Sequence, residues 1–364
     1  MNFTKYLILL IFGSLALLIS CNENHQKQFF LPAYNKTDMD SITIEPTLLL
    51  PVKMLANDSV LIIIDLNTDT LFRVFSQPDL TYLGWFGKIG RGPNEFVNID
   101  PSGIRFYNET LQIVDLRNIY LITFTSSSIS NNYTIKERIP IPGELLTFNH
   151  VFRLDTNKFC GVCLLRASQE SLDCFNRSTK EIISFLDYPD FIKDTPENEK
   201  RSIYSFLLDI KPDLSQFALN YTYSPLLRIC NLKGEIIHET FIKGLPEQIL
   251  FQNLGKRTNN LLNGITYYKD IKTTNKFIYL FYYPQGGVRI NEHRYENYSI
   301  GQKELHIFNW QGKPLVRIKL DKSTLSFVPS CDDRYLYYTA EKSPNKIFIL
   351  NLTNISKDDI YNEQ

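Results

Sequence analysis

Along most of the chain, apolar and polar residues alternate with a period of two, in short runs broken by Asp, Asn, Gly and Pro. Successive side chains of a strand point to opposite faces, so this pattern predicts half-buried β-strands. One phrase recurs: an alternating run ending in Asp or Asn, a few turn residues, then another alternating run. It occurs as LIIIDLNTDTLFRV at Asp65, LQIVDLRNIYLITF at Asp115, LDCFNRSTKEIISF at Asn176 and LRICNLKGEIIHET at Asn231. The last two are LHIFNWQGKPLVRI at Asn309 and IFILNLTNIS at Asn351. Asp and Asn suit a strand end because the side chain bonds the backbone two residues on, and Gly234 and Gly312 accept positive φ in the same turns. Each phrase predicts a β-hairpin. Their spacings of 50, 61, 55, 78 and 42 residues fit four-stranded propeller blades better than solenoid turns.

Six four-stranded groups follow, over 48–86, 103–139, 146–187, 203–243, 263–320 and 324–351. In the first two the Asp turn joins strands two and three; in the last four the Asn turn joins strands three and four. The sixth group is one strand short, and SITIEPTLLL (41–50) has the pattern to supply it. That N-to-C closure would remove the open edges that invite aggregation. The expected fold is all-β: one six-bladed β-propeller with four-stranded blades over 41–364. The alternative is a seven-bladed ring in which the long insertion of the fifth group hides a degenerate blade.

The N-terminus changes the picture of where the domain sits. Lys5 precedes an apolar run, Tyr6 to Ser20, that is shorter than the about 20 residues of a membrane span and has the form of a secretory signal over 1–20. It ends Leu18-Ile19-Ser20-Cys21, which resembles the lipobox of bacterial lipoproteins. The resemblance implies cleavage before Cys21 and lipid on its sulfur. Each acyl methylene buried in a bilayer contributes about 0.8 kcal/mol, so several chains hold firmly. Residues 21–40 are polar and weakly periodic, as expected of a flexible tether. The expected location is the cell envelope, anchored to a bacterial membrane, with the outer membrane favoured.

Lys+Arg and Asp+Glu both total 39, so the basic excess of a nucleic-acid binder is missing. The 21 Tyr and 25 Phe against 2 Trp suit pleated, half-buried surfaces. Beyond Cys21 there are five cysteines, Cys160, Cys163, Cys174, Cys230 and Cys331, an odd number that cannot all pair within the chain. Cys160 and Cys163 form a C-x-x-C within a strand pattern, where residues three apart face opposite ways, and buried structural thiols are the expectation.

The stretch GKIGRGPNEF (87–96) has the look of a phosphate loop but lacks the helix such a loop needs. It also lacks a third Gly, with Glu95 in that place. Gly90-Arg91-Gly92-Pro93-Asn94-Glu95-Phe96, then Pro101-Ser102-Gly103-Ile104, Asp115 and Asn118 are similar to an NHL-type propeller repeat. The whole chain resembles the TolB-like six-bladed propeller lipoproteins of the Bacteroidetes type, which include a domain of unknown function. In such propellers, blade-to-blade loops and strand two–three loops share the face that usually binds ligands. Here that face would receive 87–102, 188–202, 243–263 and the insertion 284–302. Loops this long are commonly functional, and Arg and Tyr are enriched at recognition hot spots. Arg91, Glu95, Arg289, Glu292, His293, Arg294 and Tyr295 are therefore the candidate surface for a protein, peptide or glycan partner.

An enzymatic alternative is a calcium-type hydrolase or lyase using the channel, by likeness to gluconolactonase-like propellers, with Asp100, Glu109 and Asp115 as oxygen ligands. The five histidines show no H-x-x-x-H spacing and there is no G-x-S-x-G elbow. No catalytic, metal or cofactor site is expected from motif.

Overall fold

A computed structural model describes residues 26–353 apart from 36–37, 67, 93–94, 117, 125–132, 146, 164–169, 190–199, 202, 247–264, 292–293 and 322. Six antiparallel sheets follow one another along the chain. Blade one is Pro51–Ala56, Val60–Asp65, Thr70–Ser76 and Tyr82–Ile89. Blade two is Arg105–Tyr107, Thr110–Asp115, Asn118–Phe124 and Tyr133–Pro140. Blade three is Phe148–Arg153, Lys158–Cys163, Glu170–Asn176 and Ile182–Asp187. Blade four is Phe206–Ile210, Gln216–Tyr221, Leu226–Asn231 and Ile236–Lys243. Blade five is Thr266–Thr273, Phe277–Asn291, Glu304–Asn309 and Pro314–Lys319. Blade six is Thr324–Pro329, Tyr335–Ala340 and Lys346–Asn351, with Met39–Thr43 as its outer strand. The first strand of each blade is innermost, and those of blades six and one pack together.

The period of two has a simple cause. Six buried apolar clusters among the described residues each lie between two neighbouring blades. In blade one, Ile62 and Ile64 face blade two, whereas Leu61 and Ile63 face blade six. Six sheets and six interfaces settle the blade number in favour of six.

The two kinds of phrase differ in chemistry. Asn176, Asn231, Asn309 and Asn351 each accept the N–H two residues on, at 2.9–3.1 Å, as expected. Asp65 and Asp115 do more than end a strand; the residues two on from them, 67 and 117, lie outside the described residues. Both Asp residues are buried, and reach back to the chain entering their own blade. Asp65 accepts from the N–H groups of Leu49 (3.0 Å) and Leu50 (2.6 Å), and Asp115 from Asn98 N–H (2.6 Å). A carboxylate thereby supplies partners to the backbone of an irregular segment.

The 21–40 stretch is not a free tether from Gln26 onward. Gln26–Phe30 lies parallel to the outer strand of blade four, Gln26 opposite Glu239 and Phe30 opposite Lys243. Tyr34 bridges to Arg317 on blade five, and Met39–Thr43 pairs with Lys346–Leu350 on blade six. Ile44 and Leu48 then enter the cluster between blades six and one. The segment straps three blades by their exposed edges, which offer unpaired backbone groups.

Cys160 and Cys174, directly opposite in adjacent strands of blade three with Cα atoms 4.0 Å apart, form a disulfide. This corrects the expectation of thiols throughout; cross-strand register, invisible as sequence spacing, brings them together. Cys163 and Cys230 remain buried thiols. Cys163 faces the cluster with blade two and Cys160 that with blade four, as their spacing requires.

The strap is held by a partly buried polar network. Tyr34 donates to Glu304 Oε1 (2.6 Å), and Arg317 donates to both Glu304 oxygens (2.6 and 3.0 Å). His306 is fully buried, with Nε2 2.8 Å from Glu304 and Nδ1 3.0 Å from the Tyr268 hydroxyl. Burial holds His306 below its ordinary value. The neutral ring therefore donates from Nε2 to the carboxylate and accepts the Tyr268 proton at Nδ1. Burial alone would raise the Glu304 carboxyl, but the bonds from His306, Arg317 and Tyr34 bring it from 4.5 to about 2. A depressed carboxyl stabilises the fold above its unfolded value, and that contribution is lost as pH falls through the folded one. Between pH 6 and pH 3 the loss from this group should be about 2 kcal/mol. Urea midpoints at both pH values, in the wild type and Glu304→Gln, test it: the variant should show a smaller acid loss, and equal losses would contradict the assignment.

Candidate functional site

The glycine-rich stretch turns a corner between blades one and two. Gly87, at the end of the outer strand of blade one, has φ +71°, and a Cβ there would sit 2.8 Å from the Phe72 ring. Glu95 folds back on the loop: its carboxylate accepts Gly92 N–H at 2.7 Å and leaves no room for a Cβ on Gly90. Phe96 plugs the interface, edge-on to Phe72 and Tyr120 with centroids 6.0 and 5.4 Å away. The chain then makes a single turn at Pro101–Gly103 and enters the inner strand of blade two. Glu95 is thus committed to its own loop, while Arg91 is exposed. Both line a broad depression of about 770 Å³ between the two blades, with Tyr120 and Arg138.

The insertion 284–302 is a β-hairpin. The second strand of blade five, Phe277–Asn291, has 15 residues where those of the other five blades have six. Its extension pairs with Arg294–Ser299, Arg289 opposite Tyr295 and Asn291 opposite Arg294. Glu292 and His293 lie outside the described residues. The hairpin leaves blade five on the face that carries the blade-to-blade loops. Arg91 and Glu95 belong to the junction of blades one and two, on the other side of the six-membered ring, so these residues form two separate places on one face. The remaining nominated loops fall largely outside the described residues, at 190–199 and 247–264.

The opposite face opens into a central cavity of about 590 Å³. The turns between first and second strands form its rim, including Asp58 and Glu109, and the inner strands form its walls. Charged residues project there from four blades. Arg105 of blade two reaches past blade three to Asp209 of blade four (3.1 Å), and also donates to Ser102 O (3.0 Å). Asp209 is further held by Thr273 N–H (2.9 Å) and hydroxyl (3.1 Å). Lys272 pairs with Asp270 at 3.0 Å. Lys53 of blade one donates to Pro101 O (2.7 Å). Burial, then the Lys272 and Arg105 charges, lower the Lys53 ammonium from 10.5 to about 7. His150 enters blade three with φ +52° and is lowered to about 4, chiefly by burial.

The carboxylates proposed for a channel metal have other occupations. Asp115 grips Asn98, Asp100 accepts from Ser102 N–H (2.9 Å) and hydroxyl, and Glu109 is an exposed turn residue. Among the described residues no three His, Cys, Asp or Glu groups converge as a metal site.

The family described as TolB-like 6-blade propeller-like matches residues 35–332, most of the chain. The chain belongs to the TolB-like six-bladed propeller family. A crystal structure of a DUF4221 family member from Bacteroides vulgatus superposes with TM-score 0.59 at 11% identity, over 88% of this chain and 96% of that one. A Bacteroides fragilis structure, of a protein named as exported, gives TM-score 0.56 at 10% identity over 90% and 98%. At these identities the likeness shows the fold. No curated protein matches.

The inner-strand charges of this TolB-like propeller went unread in the sequence, although a signal exists. PVKMLA, IRFY and FLLDI each place one charged residue within an otherwise apolar or aromatic first strand, and YYKDIKT places three. Only the ring shows that these strands converge.

Proposed function

We propose that this TolB-like propeller is a non-enzymatic binding module, lipid-anchored through Cys21 in the cell envelope, with a protein, peptide or glycan as its partner. The fold is compatible with a binding or scaffold role. The observation that supports the reading best is the blade-five hairpin: an extra two-stranded extension on a ring whose other second strands are uniform in length. A rigid scaffold holding such a projection reduces the ordering cost of binding, and Arg289, Arg294 and Tyr295 are of the types that anchor interfaces. Likeness to a Bacteroides protein named as exported supports the envelope location.

Two substitutions test the two halves of the proposal. Cys21→Ser should abolish incorporation of labelled palmitate and release the protein from membranes; unchanged labelling would remove the anchor. Simultaneous replacement of Arg289, His293, Arg294 and Tyr295 by alanine should reduce capture of a cross-linked envelope partner at least tenfold, with the urea midpoint retained. Unchanged capture would remove the hairpin from the interface.

A further inference from the structure

Three cations and three carboxylates line the central cavity, but they are not all paired with one another. Arg105 and Lys272 each have a carboxylate, Asp209 and Asp270. Both carboxylates are thereby engaged, and Asp209 also accepts twice from Thr273. Lys53 feels the charges of both cations more strongly than those of Asp270 and Asp209, and the bond found for its ammonium is to a neutral carbonyl, Pro101 O. An ammonium carries three donors, and Lys53 lines the cavity. Arg105 Nε, on a residue 5% exposed, also lacks a partner. Buried polar groups are normally satisfied, and a buried cation without a counter-charge is costly. Nothing in the packing of blade one calls for an ammonium at position 53: Val52, Met54 and Leu55 around it are apolar and join the inter-blade clusters.

We propose that the central cavity binds a small oxyanion, a carboxylate or phosphate group, which takes up the ammonium of Lys53 as a direct ionic partner alongside Lys272 and Arg105. The site lies on the face opposite the blade-five hairpin and does not depend on the partner-binding reading. A cavity of about 590 Å³ admits a solute larger than a bare ion, with room for groups that meet Asp58 and Glu109 at the rim. Binding carries a proton signature. With Lys53 lowered to about 7 in the free protein, an anion favours the charged form and raises it again, so binding takes up a proton near neutral pH. Affinity should therefore fall as pH rises above 7.

The test uses inorganic phosphate and citrate on the purified protein, with sodium chloride at matched ionic strength as the reference. The expected result is a melting temperature raised by at least one of the two anions beyond the chloride effect, more at pH 6.5 than at pH 8.5. Calorimetric titration in two buffers of different ionisation enthalpy should show proton uptake. Response to phosphate alone would identify a phosphate-type site, and response to citrate alone a carboxylate site. Lys53→Met should lose the response at least tenfold in affinity while still melting cooperatively. Should that variant fold poorly, the wild-type proton uptake decides instead. No stabilisation by either anion beyond chloride, or an undiminished response in a well-folded Lys53→Met, would overturn the site. Neither result would bear on the hairpin, whose capture assay is separate.

Discussion

Arg201→Ala is expected to destabilise the protein by about 3–5 kcal/mol, the range for breaking a buried ion pair from one side. Arg201 lies in the linker between blades three and four, and its side chain and that of Asp173 are 7% and 0% exposed. Its guanidinium donates to Asp173 Oδ2 (2.9 Å), to the Cys163 carbonyl and to Glu170 O (3.3 Å). It therefore ties the linker to two strands of blade three at once. Truncation would remove the guanidinium from the Asp173 carboxylate, which also accepts from the Ser184 hydroxyl (2.8 Å) and Cys163 N–H (3.3 Å). Removing the charge should recover part of the loss, so Arg201→Ala with Asp173→Asn should be more stable than Arg201→Ala alone. Urea unfolding of both variants measures this. A loss below about 1 kcal/mol for the single variant, the range of an exposed pair, would show that the bridge is not buried as described.

Lys53→Met should have the opposite sign and raise stability near pH 7 by about 2–4 kcal/mol. The sign follows from linkage. The unfolded chain binds a proton at Lys53 up to about pH 10.5, whereas the folded protein releases it near 7. Between those values the unfolded state holds more protons, so this group makes stability rise with pH. Below the window Lys53 penalises the fold in full; above it the penalty vanishes. Met keeps most of the stem's apolar contacts and loses the bond to Pro101 O. The advantage of the variant should therefore be largest at pH 6–7 and shrink to below about 1 kcal/mol at pH 10.5. Denaturant midpoints across that range check both size and slope, and a variant equal to or less stable than wild type at pH 7 would contradict the reading. A residue that lowers stability without a packing reason is the pattern of a functional group on a marginal scaffold.

Which parts of the molecule the sequence displays follows from how each part is held. LIIID and its counterparts were legible because both faces of those strands are buried between blades, and the Asn turns because their bonds are local. The strand over Gln26–Phe30 was hidden: an outermost strand largely exposed to water, QKQFF, needs no alternation, whereas the edge strand of blade six was expected at 41–50 and lies at Met39–Thr43. The bonds of Asp65 and Asp115 to Leu49, Leu50 and Asn98 were not legible, because these partners enter from the preceding linker. Lys53, Arg105 and Asp209 went unseen for a third reason, since they meet only when three blades close around one axis. The hairpin of blade five was legible as an excess of length, but its strand pairing was not.

The binding reading stands or falls with the blade-five face. A photo-crosslinking residue at position 295, on the hairpin, can be compared in cells with one at Lys233, an exposed turn residue on the opposite face. The account predicts a discrete cross-linked product from position 295, competed by excess unlabelled protein and missing from position 233. No product from 295, or the same products from both positions, would contradict it.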